Sequence, residues 1–116
     1  MTAQFKDLAL TPRMAQVIKV FLEDPTQERY GYDLMLATGL KSGTLYPLLA
    51  RFETAGWLTT GKENIDPRVE GRPARRYYKI SAAVVLVARQ QLAELSERYR
   101  PPALAMPRLA PKGGTR

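Results

Sequence analysis

The chain contains no histidine and no cysteine, which removes the commonest general base, the commonest metal ligand and every thiolate. What remains able to do chemistry is cationic and hydroxylic, with 18 Lys and Arg against 11 Asp and Glu and a net charge of +7. Two groups stand out by spacing. The first is Lys41, Ser42, Gly43, Thr44, Tyr46 and Pro47, with Arg51 further along, gathered where a helix begins. A helix start offers unpaired amides and a partial positive charge to phosphate, and small residues there let a backbone come close. The second is Arg68, Arg72, Arg75 and Arg76, diluted by Glu63, Asp66 and Glu70. Arginine in a flexible loop suits a narrow minor groove, where negative potential is enhanced. Both groups are suited to a polyanion.

The charge is unevenly spread. Residues 1–40 carry 4 basic and 5 acidic groups, residues 41–80 carry 8 and 4, and residues 81–116 carry 6 and 2. A polyanion is therefore expected to meet the middle and end of the chain. Solubility alone is the competing explanation of a basic composition. With 116 residues and 45% hydrophobic content, one domain with a modest core is expected. The first ten residues hold no apolar run resembling a signal peptide, and no membrane span is evident, so a cytoplasmic location is expected. No cofactor or metal is expected. No phosphate-binding glycine loop of the required spacing and no clustered carboxylates are present, so an enzyme is not expected.

The elements that must position these residues follow from caps and periodicity. Thr11-Pro12 reads as N-cap and first helical position. Met14, Val17, Ile18, Phe21 and Leu22 form one apolar stripe that ends near Asp24-Pro25. After Tyr30-Gly31-Tyr32, a short helix with Leu34, Met35 and Ala37 closes at Gly39, with Leu40 packing back on Met35 in a Schellman pattern. About three residues separate this from a third helix, with Ser42 as N-cap and Gly56 as terminator, the spacing of a helix-turn-helix. Leu45, Leu48, Leu49 and Phe52 face inward. Pro47 removes a bond to Gly43, and the pair reads as one device shaping the helix start. Trp57–Thr60 and Tyr77–Ile80 are strand formers flanking a long polar loop, which reads as a hairpin wing, with Trp57 in the core. Ser81 opens a last helix whose Val85, Ala88, Leu92, Leu95 and Tyr99 form a narrow seam. From Arg100, prolines, glycines and basic residues predict a disordered tail.

Four segments in order, Gly31-Tyr32-Asp33-Leu34, Ser42-Gly43-Thr44-Leu45-Tyr46-Pro47-Leu48-Leu49, Phe52-Glu53-Thr54-Ala55-Gly56-Trp57-Leu58 and Gly71-Arg72-Pro73-Ala74-Arg75-Arg76-Tyr77-Tyr78, resemble successive signatures of the PadR family of transcriptional regulators. The single C-terminal helix resembles that family's smaller subgroup. The resemblance implies a mainly α fold with a small β-hairpin, a winged helix-turn-helix with a C-terminal dimerisation helix. The divisions are 1–80 for the DNA-binding domain, 81–100 for the dimerisation helix and 101–116 for the tail. It implies a homodimeric repressor of double-stranded DNA on a near-palindromic operator, released by a small hydrophobic effector. Where many relatives have Leu-Thr-Pro-Glu-Gly after the second strand, this chain has Ile80-Ser81-Ala82-Ala83-Val84.

Within that frame Lys41, Ser42, Gly43, Tyr46 and Arg51 position phosphates, while Thr44, Tyr46 and Pro47 are candidates for base reading through hydroxyls and thymine methyls. Arg72 and Arg75 are expected to lead the wing ahead of Arg68. The outer seam residues need a twofold partner, with Phe5, Leu8 and Leu10 of the other chain as its covering. Competing readings are a packing tyrosine at Tyr46, a loop whose acids and arginines pair with each other, and a last helix that serves only its own core. A winged-helix module for a protein or structured RNA is the functional alternative.

Overall fold

The computed structural model describes residues 5–98. Its elements are α1 (Pro12–Glu23), β1 (Arg29–Tyr30), α2 (Gly31–Thr38), α3 (Ser42–Thr54), β2 (Leu58–Lys62), α4 (Pro67–Glu70), β3 (Arg76–Ile80), a single 3-10 turn (Ala82–Val84) and α5 (Val85–Arg98). Thr11 caps α1 by accepting from the Met14 amide, with Pro12 beginning the helix. Met14, Val17, Ile18 and Phe21 are wholly buried and make α1 the centre of the core. The far end of α1 is completed by distant arginines. Arg29 donates to the Val20 carbonyl and Arg89 to that of Leu22. Each thus satisfies a carbonyl that has no partner inside the helix and places a cation at the negative pole.

Gly39 and Gly56 follow α2 and α3 with φ of 73° and 80°, the left-handed turn that a side chain resists. At Gly39 the amide bonds the Met35 carbonyl, while the Leu40 amide goes to the Thr38 hydroxyl. This is the single-bond αL ending rather than the Schellman pair. Lys41, not Ser42, is the cap position of α3, and Ser42 is its first residue.

The hairpin expected from the sequence is a three-stranded antiparallel sheet in the order β1-β3-β2. Arg29 and Tyr30 pair with Tyr78 and Tyr77, so the entrance of α2 is stitched to the wing's second strand. The β2–β3 loop also contains α4, capped by Asp66 and begun by Pro67, the same signal that starts α1. Trp57 is wholly buried, and its Nε1 donates to the Lys6 carbonyl at 2.7 Å. The core continues into α5 through Val84, Ala88 and Leu95. Among the described residues no helix is long and apolar enough to cross a membrane.

Candidate nucleic-acid interface

α3 is held by Leu45, Leu49 and Phe52, all wholly buried, which turns the opposite face outward. Lys41, Ser42, Gly43, Tyr46, Pro47 and Arg51 are exposed and Thr44 is half-buried. The helix start has no side-chain cap, although α1 and α4 each have one. The Lys41 carbonyl accepts from Thr44 and Leu45. Among the described residues no partner meets the Ser42 or Gly43 amide. A Cβ placed on Gly43 would touch nothing within 4 Å. The protein's own packing therefore gives no reason for glycine there, in a helical turn where it costs about 0.5–1 kcal/mol against alanine. Two unpartnered amides beside that open position are what an incoming oxyanion requires.

Tyr46 is packed at one end and open along the rest. Its ring remains 42% exposed, yet its hydroxyl end lies over Gly31, where a Cβ would collide with it. Glycine at the head of α2 is thus the seat of an α3 side chain.

The wing differs more from expectation. Arg72 makes two parallel bonds to the Glu63 carboxylate, at 2.7 and 3.0 Å. Arg75 reaches the same carboxylate at 3.0 Å through Nη2, and its guanidinium lies 4.4 Å from the centre of the Tyr30 ring. Arg76 bonds Glu53 of α3 at 3.0 Å. Arg72 first, and Arg75 next, hold the Glu63 carboxyl well below the usual carboxylate range. Three of the four expected wing contacts are therefore engaged internally, because two acids, Glu63 beyond β2 and Glu53 on α3, lie within reach of them once β2 and β3 pair. Arg68, expected to follow Arg72 and Arg75, is exposed on α4 beside Val69, and among the described residues no ion pair holds it. Lys41 and Arg51 are likewise without an ion pair among the described residues.

The model of the Transcriptional regulator PadR-like family matches residues 20–83, more than half of the chain, and this span carries α2, α3 and the whole wing. The protein belongs to the PadR-like family. It is a transcriptional regulator and a DNA-binding protein, in a family of regulators rather than of enzymes. Solved structures agree on the fold. A Streptococcus transcriptional regulator is 26% identical with a TM-score of 0.51, over 77% of this chain and 94% of that one. A Streptococcus mutans UA159 protein is 22% identical with a TM-score of 0.53, over 75% and 74%. A conserved protein of unknown function, a potential transcriptional factor, is 22% identical with a TM-score of 0.54, over 81% and 87%. No curated protein sequence matches significantly.

In this PadR-like protein the expected dimer residues fall into two groups. Ala88 and Leu95 are buried in the chain's own core and are not free seam residues, since α1 packs against that stripe. Val85 and Leu92 are half-buried. Phe5 and Leu8 pack against their own chain's core, Phe5 edge-on to Trp57 with ring centres 6.4 Å apart, and Leu10 is buried there too. The N-terminal arm thus covers its own domain, because the Trp57–Lys6 bond draws it in. Leu86, absent from the expected set, is 78% exposed on α5. A groove of about 470 Å³ runs between α1 and α5, lined by Pro12, Ala15, Lys19, Leu92 and Ala93. Tyr99 and residues 101–116 lie outside the described residues.

Proposed function

We propose that this PadR-like regulator is a sequence-specific repressor that acts as a homodimer on a near-palindromic operator in the cytoplasm. The observation that carries the reading is the uncapped start of α3, where the Ser42 and Gly43 amides, the Lys41 side chain and an internally unneeded glycine share one exposed surface. In this reading Lys41, Ser42, Gly43 and Arg51 hold phosphates and set register. Thr44, Pro47 and the open side of the Tyr46 ring face the base edges, and Arg68 extends the contact from the wing.

The second copy is proposed to seat on the α1–α5 groove. Exposed Leu86, half-buried Val85 and Leu92 and the apolar walls of the groove support that occupant. A twofold pair would bring two α3 helices about one DNA turn apart. The groove volume also falls within the range of small-ligand sites. A hydrophobic effector lodged there would alter the α5 contacts and so the spacing of the two reading helices.

Selection from a random duplex pool, followed by titration and sedimentation, tests this. One duplex should be preferred over bulk DNA by about 10³-fold or more, and the protein should sediment as a dimer at micromolar concentration. Near-equal affinity for all duplexes, or a monomer that binds DNA one copy per site, would contradict it.

A further inference from the structure

We propose that Glu63 is a positioning residue for the wing. Its carboxylate gathers Arg72 and Arg75 into a clamp that fixes the β2–β3 loop against Tyr30, so that a duplex meets Arg68 on α4 rather than the two clamped arginines. The proposal rests on the DNA-binding reading above and deepens it.

The clamp joins places far apart in sequence. Glu63 follows the end of β2, and its backbone amide continues the strand ladder by bonding the Arg75 carbonyl at 2.8 Å. Its side chain takes Arg72 in a two-pronged bond and also accepts from the Arg75 backbone amide at 3.2 Å. Arg72 additionally donates to the Pro73 carbonyl at 3.2 Å. Arg75 then stacks on Tyr30, the residue immediately before α2. One carboxylate thereby ties both ends of the loop to the entrance of the helix-turn-helix. Glu63 has the geometry for this, its side chain being 13% exposed against 39% for Arg72 and 54% for Arg75. Two-pronged guanidinium–carboxylate pairs fix orientation as well as distance. The loop between the clamped ends is itself ordered by the Asp66 cap and the left-handed Gly71, and residues 66–71 are all exposed, Arg68 being the cation among them. A surface ion pair in isolation contributes little to stability. Its expected effect is therefore on where the loop points, and hence on discrimination between duplexes.

The test uses the full chain, its selected duplex and an unrelated duplex of equal length, titrated from low to high salt, together with trypsin digestion without DNA. Glu63→Gln is expected to raise affinity for the unrelated duplex about threefold and to lower the preference for the selected one about tenfold. The salt slope should steepen by about one as freed arginines reach phosphates. Without DNA, the same variant should be cut within residues 63–76 at least about fivefold faster than wild type, because the loop end is no longer held. Arg68→Ala should make the slope shallower by about one for both duplexes. The clamp proposal alone is overturned if wild type prefers its duplex while Glu63→Gln keeps that preference and its trypsin resistance. It is equally overturned if Arg68→Ala leaves the slope unchanged. Wild type that binds no duplex overturns the underlying reading and this proposal with it, even where the trypsin difference is seen.

Discussion

Gly43→Glu is expected to leave the protein folded and to weaken binding to its preferred duplex about a hundredfold. Gly43 is the second residue of α3, exposed, with nothing within 4 Å of the position its side chain would occupy. For the fold alone, glutamate is an improvement there. It replaces a flexible residue by a better helix former, and an acid in the first turn favours the positive end of the helix dipole. For a duplex it is damaging twice, since a side chain fills the approach to the free amides and a negative charge faces phosphate. Like charges brought together at an interface cost several kcal/mol, and about 2.7 kcal/mol corresponds to a hundredfold. The check is paired thermal unfolding and duplex titration. A melting temperature at or above wild type with binding weakened about a hundredfold is the expected pattern, whereas unchanged binding would remove α3's first turn from the interface.

Trp57→Ala is expected to destabilise the fold by about 3–5 kcal/mol, the range for deleting a buried indole. Trp57 packs face-tilted on Phe52 with ring centres 5.7 Å apart and takes Phe5 on its edge. It also bonds the Lys6 carbonyl through Nε1, and its own carbonyl accepts from Ser81. The N-terminal arm and the end of α3 therefore meet at the indole, and the exit of β3 is tied to the same residue through its backbone. A small domain has about 5–15 kcal/mol in total, so the loss should be evident in urea unfolding followed by circular dichroism, the variant having no tryptophan to report by fluorescence. Trp57→Phe keeps an aromatic ring and removes the donor, and should cost clearly less. A loss below about 1 kcal/mol for the alanine variant would mean the arm and wing base do not depend on this residue.

Much of this framework was legible because its signals are local. Thr11-Pro12 marks a helix start by chemistry contained in two residues, and the spacing of Met14, Val17, Ile18 and Phe21 reports a buried face whatever it packs against. Gly39 before Lys41 fixes the tight helix-helix turn in the same way. What escaped was decided by partners distant in sequence. β1 is two residues long, too short for any periodicity, and exists because Tyr77 and Tyr78 offer a strand edge. The seam from Val85 to Leu95 reads as one stripe, but α1 takes Ala88 and Leu95 and leaves Val85 and Leu92 partly open. The wing arginines carry no local mark distinguishing a phosphate contact from a partner of Glu63 nine or twelve residues away. Competition between acids and arginines in the loop was visible in the composition, though not which arginine would be left over. α4 did carry a local signal, Asp66-Pro67 followed by Gly71, equivalent to the one that marks α1.

Backbone amide chemical shifts, followed by NMR while the selected duplex is added to the full chain, test the central claim most directly. The Ser42, Gly43 and Thr44 amides should move furthest, joined by Arg68 in the wing, with α1 amides on the buried side nearly still. Shifts confined to α5 or the sheet edge, with the first turn of α3 unmoved at saturation, would contradict the account.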